Sequence, residues 1–256
     1  LLFHISCLLR LGRLFMKWTN PFKRQKRQAQ PSMSAQIASP DNPSSSRTNI
    51  DQTTEIDQRL SAAKQRHREG EIDEAEAVYL DILRNHPDHA DARHMVAIVC
   101  LERGQLSEAE QHFRQAIALD DKQAVYYSNL GNALGEQNRT EEALTCFRQA
   151  LNLNPEHLGA LSNAATALLS MGRTSDAKPM CLKILALEPG DIGARLNLAA
   201  AYIEERDTHS AIASLREGLK IHPRNVDLLF QLASALEFAN QIDDASAVIQ
   251  QAESIQ

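Results

Sequence analysis

Carboxamide side chains recur at a fixed interval along the sequence and suggest a peptide-binding chemistry. Asn129, Asn163 and Asn197 stand 34 residues apart, and Gln231 continues the series one interval later. A carboxamide both donates and accepts hydrogen bonds, so it matches the N–H and C=O groups of an extended peptide backbone whatever the peptide's side chains. Asn132 lies one helical turn after Asn129 and is expected to face the same groove. These five side chains are the predicted peptide-binding residues.

The same carboxamides have a second interpretation, which the sequence leaves open. In that interpretation they bond only to the neighbouring repeat and fix the geometry of the array. Three hydrogen bonds at a net ~0.5–1.5 kcal/mol each supply only a few kcal/mol. Once the cost of ordering a bound peptide is counted, the sequence predicts an affinity that is micromolar or weaker.

The nine histidines raise the question of a metal site, and the densest group contains His86, His89 and His94 beside Asp88 and Asp91. His157 stands two 34-residue intervals after His89. His222 stands four intervals after His86, so these histidines are predicted to be turn residues and not ligands. No nucleophile, phosphate-loop or paired-carboxylate pattern is present in the sequence. We therefore expect no metal, no cofactor and no enzymatic activity in this chain.

The elements that position these side chains follow from three columns with the same period of 34 residues. The first column is alanine throughout: Ala75, Ala109, Ala143, Ala177, Ala211 and Ala245. A second column of small residues reads Ala63, Ala97, Gly131, Ala165, Ala199 and Ala233. The third is proline, with Asp121 in the one missing place: Pro87, Pro155, Pro189 and Pro223. This period indicates stacked helix pairs, in six units that start near residues 56, 90, 124, 158, 192 and 226.

Turn and cap signals agree with this division into units. The bend between paired helices is predicted at residues that tolerate positive φ: Gly70, Gly104, Asn138, Gly172 and Asn240. Asp73 and Ser107 are each followed three residues later by Glu, so both are predicted to start a helix with a capping box.

Residues 56–256 resemble six tetratricopeptide repeats. The third unit carries most of the family pattern: Tyr127, the Leu130–Gly131 pair, Ala143, Phe147, Ala150 and Pro155. The resemblance implies an all-α, right-handed α-solenoid whose first helices line a concave groove. The asparagine series is similar to that of the repeat domain of O-linked N-acetylglucosamine transferases, where asparagines hold the substrate backbone. The family's carboxylate clamp is not expected, because Ser128 and Gly193 stand where it needs cations.

Charge is divided unevenly along the chain. Residues 1–50 contain eight Lys or Arg against one Asp, a net charge of +7, whereas the remainder contains 19 against 32 acidic residues, a net charge of −13. An acidic array repels phosphate backbones, so nucleic acid is not an expected partner of the repeats. The expected partner is a neutral or basic protein segment.

Residues 1–55 are predicted to form a disordered basic tail rich in Ser, Pro and Gln, which is not expected to bind membranes. Its first 15 residues are apolar but fall short of the ~20 residues that span a bilayer. The basic cluster follows this apolar stretch, which is the reverse of the order in a secretory signal. Because the chain begins with Leu, Met16 is a candidate native start. The four cysteines form no CxxC pair, which is typical of a reducing, cytoplasmic compartment.

The sequence therefore predicts a non-catalytic bacterial scaffold that binds extended peptide segments. One alternative makes the repeats the substrate-recognition part of a larger glycosyltransferase or sulfotransferase. Another is self-association through the last repeat, whose apolar residues lack an evident cover: Ile242, Val248, Ile249 and Ile255.

Overall fold

The computed structural model describes residues 46–255, with side chains from residue 54 onward. All regular structure in this range is α-helical, which confirms the all-α prediction. The helices are α1 (Ser46–Glu69), α2 (Ile72–Asn85), α3 (Ala90–Glu102), α4 (Leu106–Leu119), α5 (Ala124–Glu136), α6 (Thr140–Leu153), α7 (Leu158–Ser170), α8 (Thr174–Leu187), α9 (Ile192–Glu204), α10 (Thr208–Ile221), α11 (Val226–Phe238) and α12 (Ile242–Glu253).

Helix starts repeat with the predicted period. Each odd-numbered helix is the first helix of a repeat, and each even-numbered helix is the second. Helix α1 begins at Ser46, so residues 46–55 of the predicted tail are helical, and the rest of that tail lies outside the described residues. The domain boundary near residue 56 stays a prediction.

The described helices belong to two compact units, one ending at Arg139 and the other beginning at Thr140. The first unit contains α1–α5, and each helix packs on the next. The second unit contains α6–α12 and is also built from successive contacts. Within it α9 touches both α7 and α11, so the first helices of consecutive repeats are neighbours.

The periodic small residues bring paired helices close together. Every member of the alanine column is at most 1% exposed, and the residue four places later is buried in five of the six repeats. That place holds Tyr79 and Phe113 in the first unit, and Phe147 in the second. Burying one such side chain contributes roughly 1.5–3 kcal/mol. A small residue followed by a large one thus gives each repeat its own part of the core.

The bends between paired helices use the left-handed backbone region, as predicted. All five predicted residues have positive φ: Gly70 (93°), Gly104 (77°), Asn138 (63°), Gly172 (70°) and Asn240 (59°). The sequence did not predict the bend in the fifth repeat, where Arg206 has a φ of 62°. An L-residue such as arginine has no preference for positive φ, so the helices on either side hold Arg206 in this conformation.

The capping boxes predicted at Asp73 and Ser107 are wrong, although helices do begin next to both residues. Helix α2 begins at Ile72 and α4 at Leu106, and neither start has a side-chain cap. Side-chain caps occur instead at four first helices, through His89 Nδ1, His157 Nδ1, Asp191 Oδ1 and Asn225 Oδ1. One second helix, α10, is also capped, by Asp207 Oδ1. The histidines predicted as turn residues are therefore in turns, where two of them accept a backbone N–H.

Candidate functional site

The predicted site residues lie on one stripe of each first helix. Residues at successive spacings of four, three and four share a side of an α-helix. The second unit has three such stripes, which together are called the first-helix face. On α7 the stripe is Gly159, Asn163, Thr166 and Ser170; on α9 it is Gly193, Asn197, Ala200 and Glu204; and on α11 it is Asp227, Gln231, Ser234 and Phe238. Because α9 contacts α7 and α11, the three stripes are adjacent.

Asn197 is tied to the preceding repeat. Its Nδ2 donates to Thr166 Oγ1 at 3.1 Å, and that hydroxyl donates to the Ser162 carbonyl at 2.9 Å. The side chain is only 5% exposed, and Asn163 is 4% exposed. These bonds orient the Asn197 carboxamide, while its Oδ1 accepts no hydrogen bond from the described part of the chain.

Gln231 and its neighbours form the more open end of the same face. Gln231 is half-buried and Ser234 is buried, but Phe238 at the end of the stripe is 69% exposed. Glu204 ends the neighbouring stripe on α9 and is also exposed. The face thus combines the buried carboxamides of Asn163 and Asn197 with the exposed carboxylate of Glu204 and the exposed ring of Phe238.

In the first unit, Asn129 makes the corresponding contact to the preceding repeat. Its Nδ2 lies 2.9 Å from Nε2 of His94 on α3, and Asn132, one turn further along α5, is half-buried. His94 is buried and stacks on Tyr126 with ring centroids 4.5 Å apart. Burial lowers the pKa of His94 to about 3, opposed by nearby Asp91. The imidazole is therefore neutral and accepts the Asn129 amide hydrogen.

The carboxylate of Asp91 on α3, near His94, bonds to side chains of two other helices, α1 and α5. Asp91 Oδ2 receives Lys64 Nζ from α1 at 2.9 Å, and its other oxygen receives the hydroxyl of Tyr126 from α5. Burial raises the pKa of the Asp91 carboxyl, but Lys64 and the Tyr126 hydrogen bond outweigh this and hold the pKa below its ordinary value. Lys64 is consequently a paired cation.

Two asparagines of the predicted series bond to the preceding repeat, which the structural interpretation of that series requires. The bond uses only the amide hydrogen in both cases, and in the described residues Oδ1 of Asn129, like that of Asn197, accepts none. Sequence reasoning missed the partners His94 and Thr166, because 35 or 31 residues separate each pair and only the packing brings them together.

The described residues hold no group of three or more His, Cys, Asp or Glu side chains arranged to bind a metal ion. In the same range, no helix is both long and apolar enough to cross a membrane.

Paired helices that repeat every 34 residues, with small residues at their contacts, define a helical repeat protein. Three sequence models of the tetratricopeptide repeat match the chain, over residues 61–124, 124–157 and 202–256. The chain belongs to the tetratricopeptide repeat family. These repeats are not themselves catalytic, and proteins of this kind use them to bind other proteins or peptides.

Solved structures share the fold at low identity. PilF of Pseudomonas aeruginosa is 23% identical with a TM-score of 0.68, over 78% of this chain and 91% of that one. MamA from Desulfovibrio magneticus RS-1 is 20% identical with a TM-score of 0.61, over 65% and 94%. YrrB, described as a TPR protein with an unusual peptide-binding site, is 18% identical with a TM-score of 0.61, over 70% and 92%. A search of the curated proteins finds no match.

Proposed function

We propose that this protein is an interaction scaffold that captures extended protein segments against its first helices. The observation that carries the proposal is the state of Asn129 and Asn197. Each carboxamide is held by a bond from its Nδ2 to the preceding repeat, while its Oδ1 is left as an acceptor. An acceptor that is already oriented loses little entropy when a peptide N–H binds to it.

The proposed contacts form a series along the chain. Asn129 and Asn132 supply them in the first unit, and Asn163, Asn197 and Gln231 supply them in the second. Because backbone groups are the target, the site tolerates many sequences, and selectivity comes from charge and from neighbouring apolar side chains. The acidic repeats favour a neutral or basic partner over an acidic one or a nucleic acid. YrrB, a protein of the same fold, is described as having a peptide-binding site.

Peptide binding to variants of the full chain tests this function. The probe is an array of twelve-residue peptides whose net charge runs from negative to positive. Replacing both Asn163 and Asn197 by Ala is expected to weaken the best binders roughly five- to twentyfold, as the loss of one or two hydrogen bonds implies. Asn152→Ala is the matched control, since Asn152 is an exposed carboxamide on second helix α6. Equal binding by the double variant and the control would refute the proposal.

A second candidate function assigns the last helix pair one of two roles: substrate recognition as part of a larger transferase, or self-association with another copy of the chain. It is favoured by exposed apolar side chains in the last helix pair, where Phe238 is 69% and Ile242 is 45% exposed. The intact mass of the protein from its source cells tests the first version, and sedimentation over a range of concentrations tests the second. A product of this chain's mass that sediments as a monomer would remove both. The cytoplasmic location and bacterial source stay predictions from the sequence.

A further inference from the structure

The first helices of the second unit carry more acidic than basic side chains. Helix α7 has no charged residue, and α9 and α11 together have three acids and one cation, Arg195. The Arg195 guanidinium donates to the Pro189 carbonyl at 3.0 Å, and its stem packs on Gly218 of second helix α10. Arg195 also lies outside the three stripes, so the first-helix face of the second unit is acidic.

Two carboxylates at one end of this face have no cation of their own. Glu204 ends the α9 stripe and is exposed, and Glu237 lies half-buried in the last turn of α11. Neither forms an ion pair with a described residue, whereas Glu205, next to Glu204, is paired with Lys178. Arg206 follows in the bend and pairs with neither carboxylate. A cation on a bound segment would therefore meet free carboxylates here.

An aromatic ring and an oriented acceptor share the face with these carboxylates. Phe238 ends the α11 stripe, and its side chain is 69% exposed. On α9, Asn197 lies two turns before Glu204 and is only 5% exposed, yet its Oδ1 accepts no hydrogen bond from a described residue. This oxygen is not among the described atoms that are both unpaired and sealed from solvent, so it remains open to a ligand. A segment with a backbone N–H and an aromatic side chain would complete both groups.

The face also sets the spacing of the side chains that it can bind. Glu204 and Phe238 each lie seven residues after the carboxamide of their stripe, about 10.5 Å further along the helix. A backbone bound on the carboxamides therefore reaches them only through long side chains. Packed helices lie about 8–10 Å apart, and residues two apart in an extended chain point to the same side, about 6.6 Å from each other. A long cation and an aromatic side chain at that spacing fit Glu204 and Phe238 together.

We propose that the second unit selects extended partner segments in which a Lys or Arg stands two residues from an aromatic residue. The cation pairs with Glu204, the aromatic side chain packs on Phe238, and Asn197 Oδ1 accepts a backbone N–H of the segment. Glu237 favours a second cation on the other side of the aromatic residue. This inference rests on the proposed peptide-binding function and names the class of segment that the second unit takes.

The test uses the full chain and a fluorescent probe, a twelve-residue peptide of Gly and Ser with Arg-Ser-Phe-Ser-Arg at its centre. A cation on each side of the ring fits the face whichever way the peptide runs. In the glutamine twin both Arg are replaced by Gln, and in the alanine twin the Phe is replaced by Ala. We expect the probe to bind about fivefold more tightly than either twin, as an exposed ion pair or an aromatic pair implies. Equal affinity for the probe and either twin would overturn the proposal.

A third peptide tests the spacing. It has the composition and charge of the probe, but both Arg stand at the ends of the peptide, away from the ring. We expect it to bind as weakly as the glutamine twin. If it binds as tightly as the probe, attraction is general and the proposed spacing is wrong.

Substitutions in the protein locate the two contacts. Glu204→Gln is expected to weaken the probe about threefold and to leave the glutamine twin unchanged. Phe238→Ala is expected to weaken the probe about fivefold and to leave the alanine twin unchanged. Glu188→Gln and Leu182→Ala are the matched controls, because both residues are exposed and lie outside the stripes, at the end of second helix α8 and on it.

The controls decide whether the face is correctly assigned. If either control weakens the probe as much as its counterpart on the stripes does, the assigned face is wrong. Unchanged circular dichroism shows that each variant keeps its helices.

Two outcomes separate this inference from the proposed function. If array peptides bind in a manner that depends on Asn163 and Asn197 but the probe and its twins bind equally, the class of segment is wrong and the function stands. If neither the array peptides nor the probe bind, both fall.

Discussion

A neutral, buried histidine supports the first carboxamide of the series. His94 accepts from Asn129 through Nε2 and lies between Tyr126 and Phe113, with ring centroids 4.5 and 5.5 Å away. Protonation would place a charge among apolar rings and remove the acceptor lone pair that Asn129 uses. The orientation of Asn129 therefore depends on the protonation state of one imidazole in the preceding repeat.

This arrangement predicts a pH dependence of stability. The pKa of His94 falls from 6.5 to about 3 on folding, so the unfolded chain takes up the proton first as the pH drops below 6.5. The resulting stabilisation is complete above that pH and is lost on acidification towards the folded value. Between about pH 7 and pH 5 this amounts to about 2 kcal/mol.

Urea unfolding at these two pH values measures the effect. His94→Phe keeps the ring stacking and is expected to remove about 2 kcal/mol of the pH dependence that the wild type shows. If the His94 variant and the wild type lose equal stability on acidification, the histidine is not buried as a neutral group.

One bend between helices stores strain in an exposed arginine. Arg206 has a φ of 62°, where the Cβ atom of an L-residue costs about 1–2 kcal/mol. Arg206→Gly relieves that cost but adds backbone entropy to the unfolded chain, so we expect a net gain of about 0.5–1 kcal/mol. Thermal unfolding measures it. Arg216→Gly is the control, because Arg216 lies inside α10 and glycine there should cost about 1 kcal/mol. A loss of stability at both positions would contradict this interpretation of the bend.

At the scale of elements, the closest helix contacts are set by the buried alanine column. Ala143 on α6 is fully buried, so added methyl groups would have to displace packed neighbours. Ala143→Leu is expected to destabilise the chain by about 1–3 kcal/mol through overpacking, as measured by urea unfolding. Ala186→Leu on α8 adds the same atoms at an exposed place and should be nearly neutral. Equal effects of the two changes would show that the column does not limit helix approach.

Helix pairs and their bends could be predicted from single residues, whereas the side-chain caps of the second helices could not. Gly70 and Asn240 identify bends because both tolerate positive φ, but Arg206 has no such preference and its bend is imposed by the repeat. Asp73 and Ser107 were wrong as capping residues because both lie inside the first helical turn, where an acidic residue is also favourable. The real caps, such as Asp191, lie at the last place of the preceding repeat.

At the scale of the whole molecule, the repeat period determines which residues share a face. It does not determine which of them are buried or hydrogen-bonded to the neighbouring repeat. The sequence placed Asn163 and Asn197 at equivalent positions, and the structure shows both to be buried. That Asn197 bonds to Thr166 depends on how consecutive repeats pack, which periodicity alone does not define. The exposure of Phe238 is likewise a property of the last helix pair and not of its column.

The most direct test of the account is a crystal structure of the full chain bound to the best peptide from the array. We expect an extended peptide lying across α7, α9 and α11, with one of its backbone N–H groups donating to Asn197 Oδ1 while Asn197 Nδ2 keeps its bond to Thr166. A peptide bound to the second helices, or one that leaves the Asn197 oxygen without a peptide donor, would contradict the central claim.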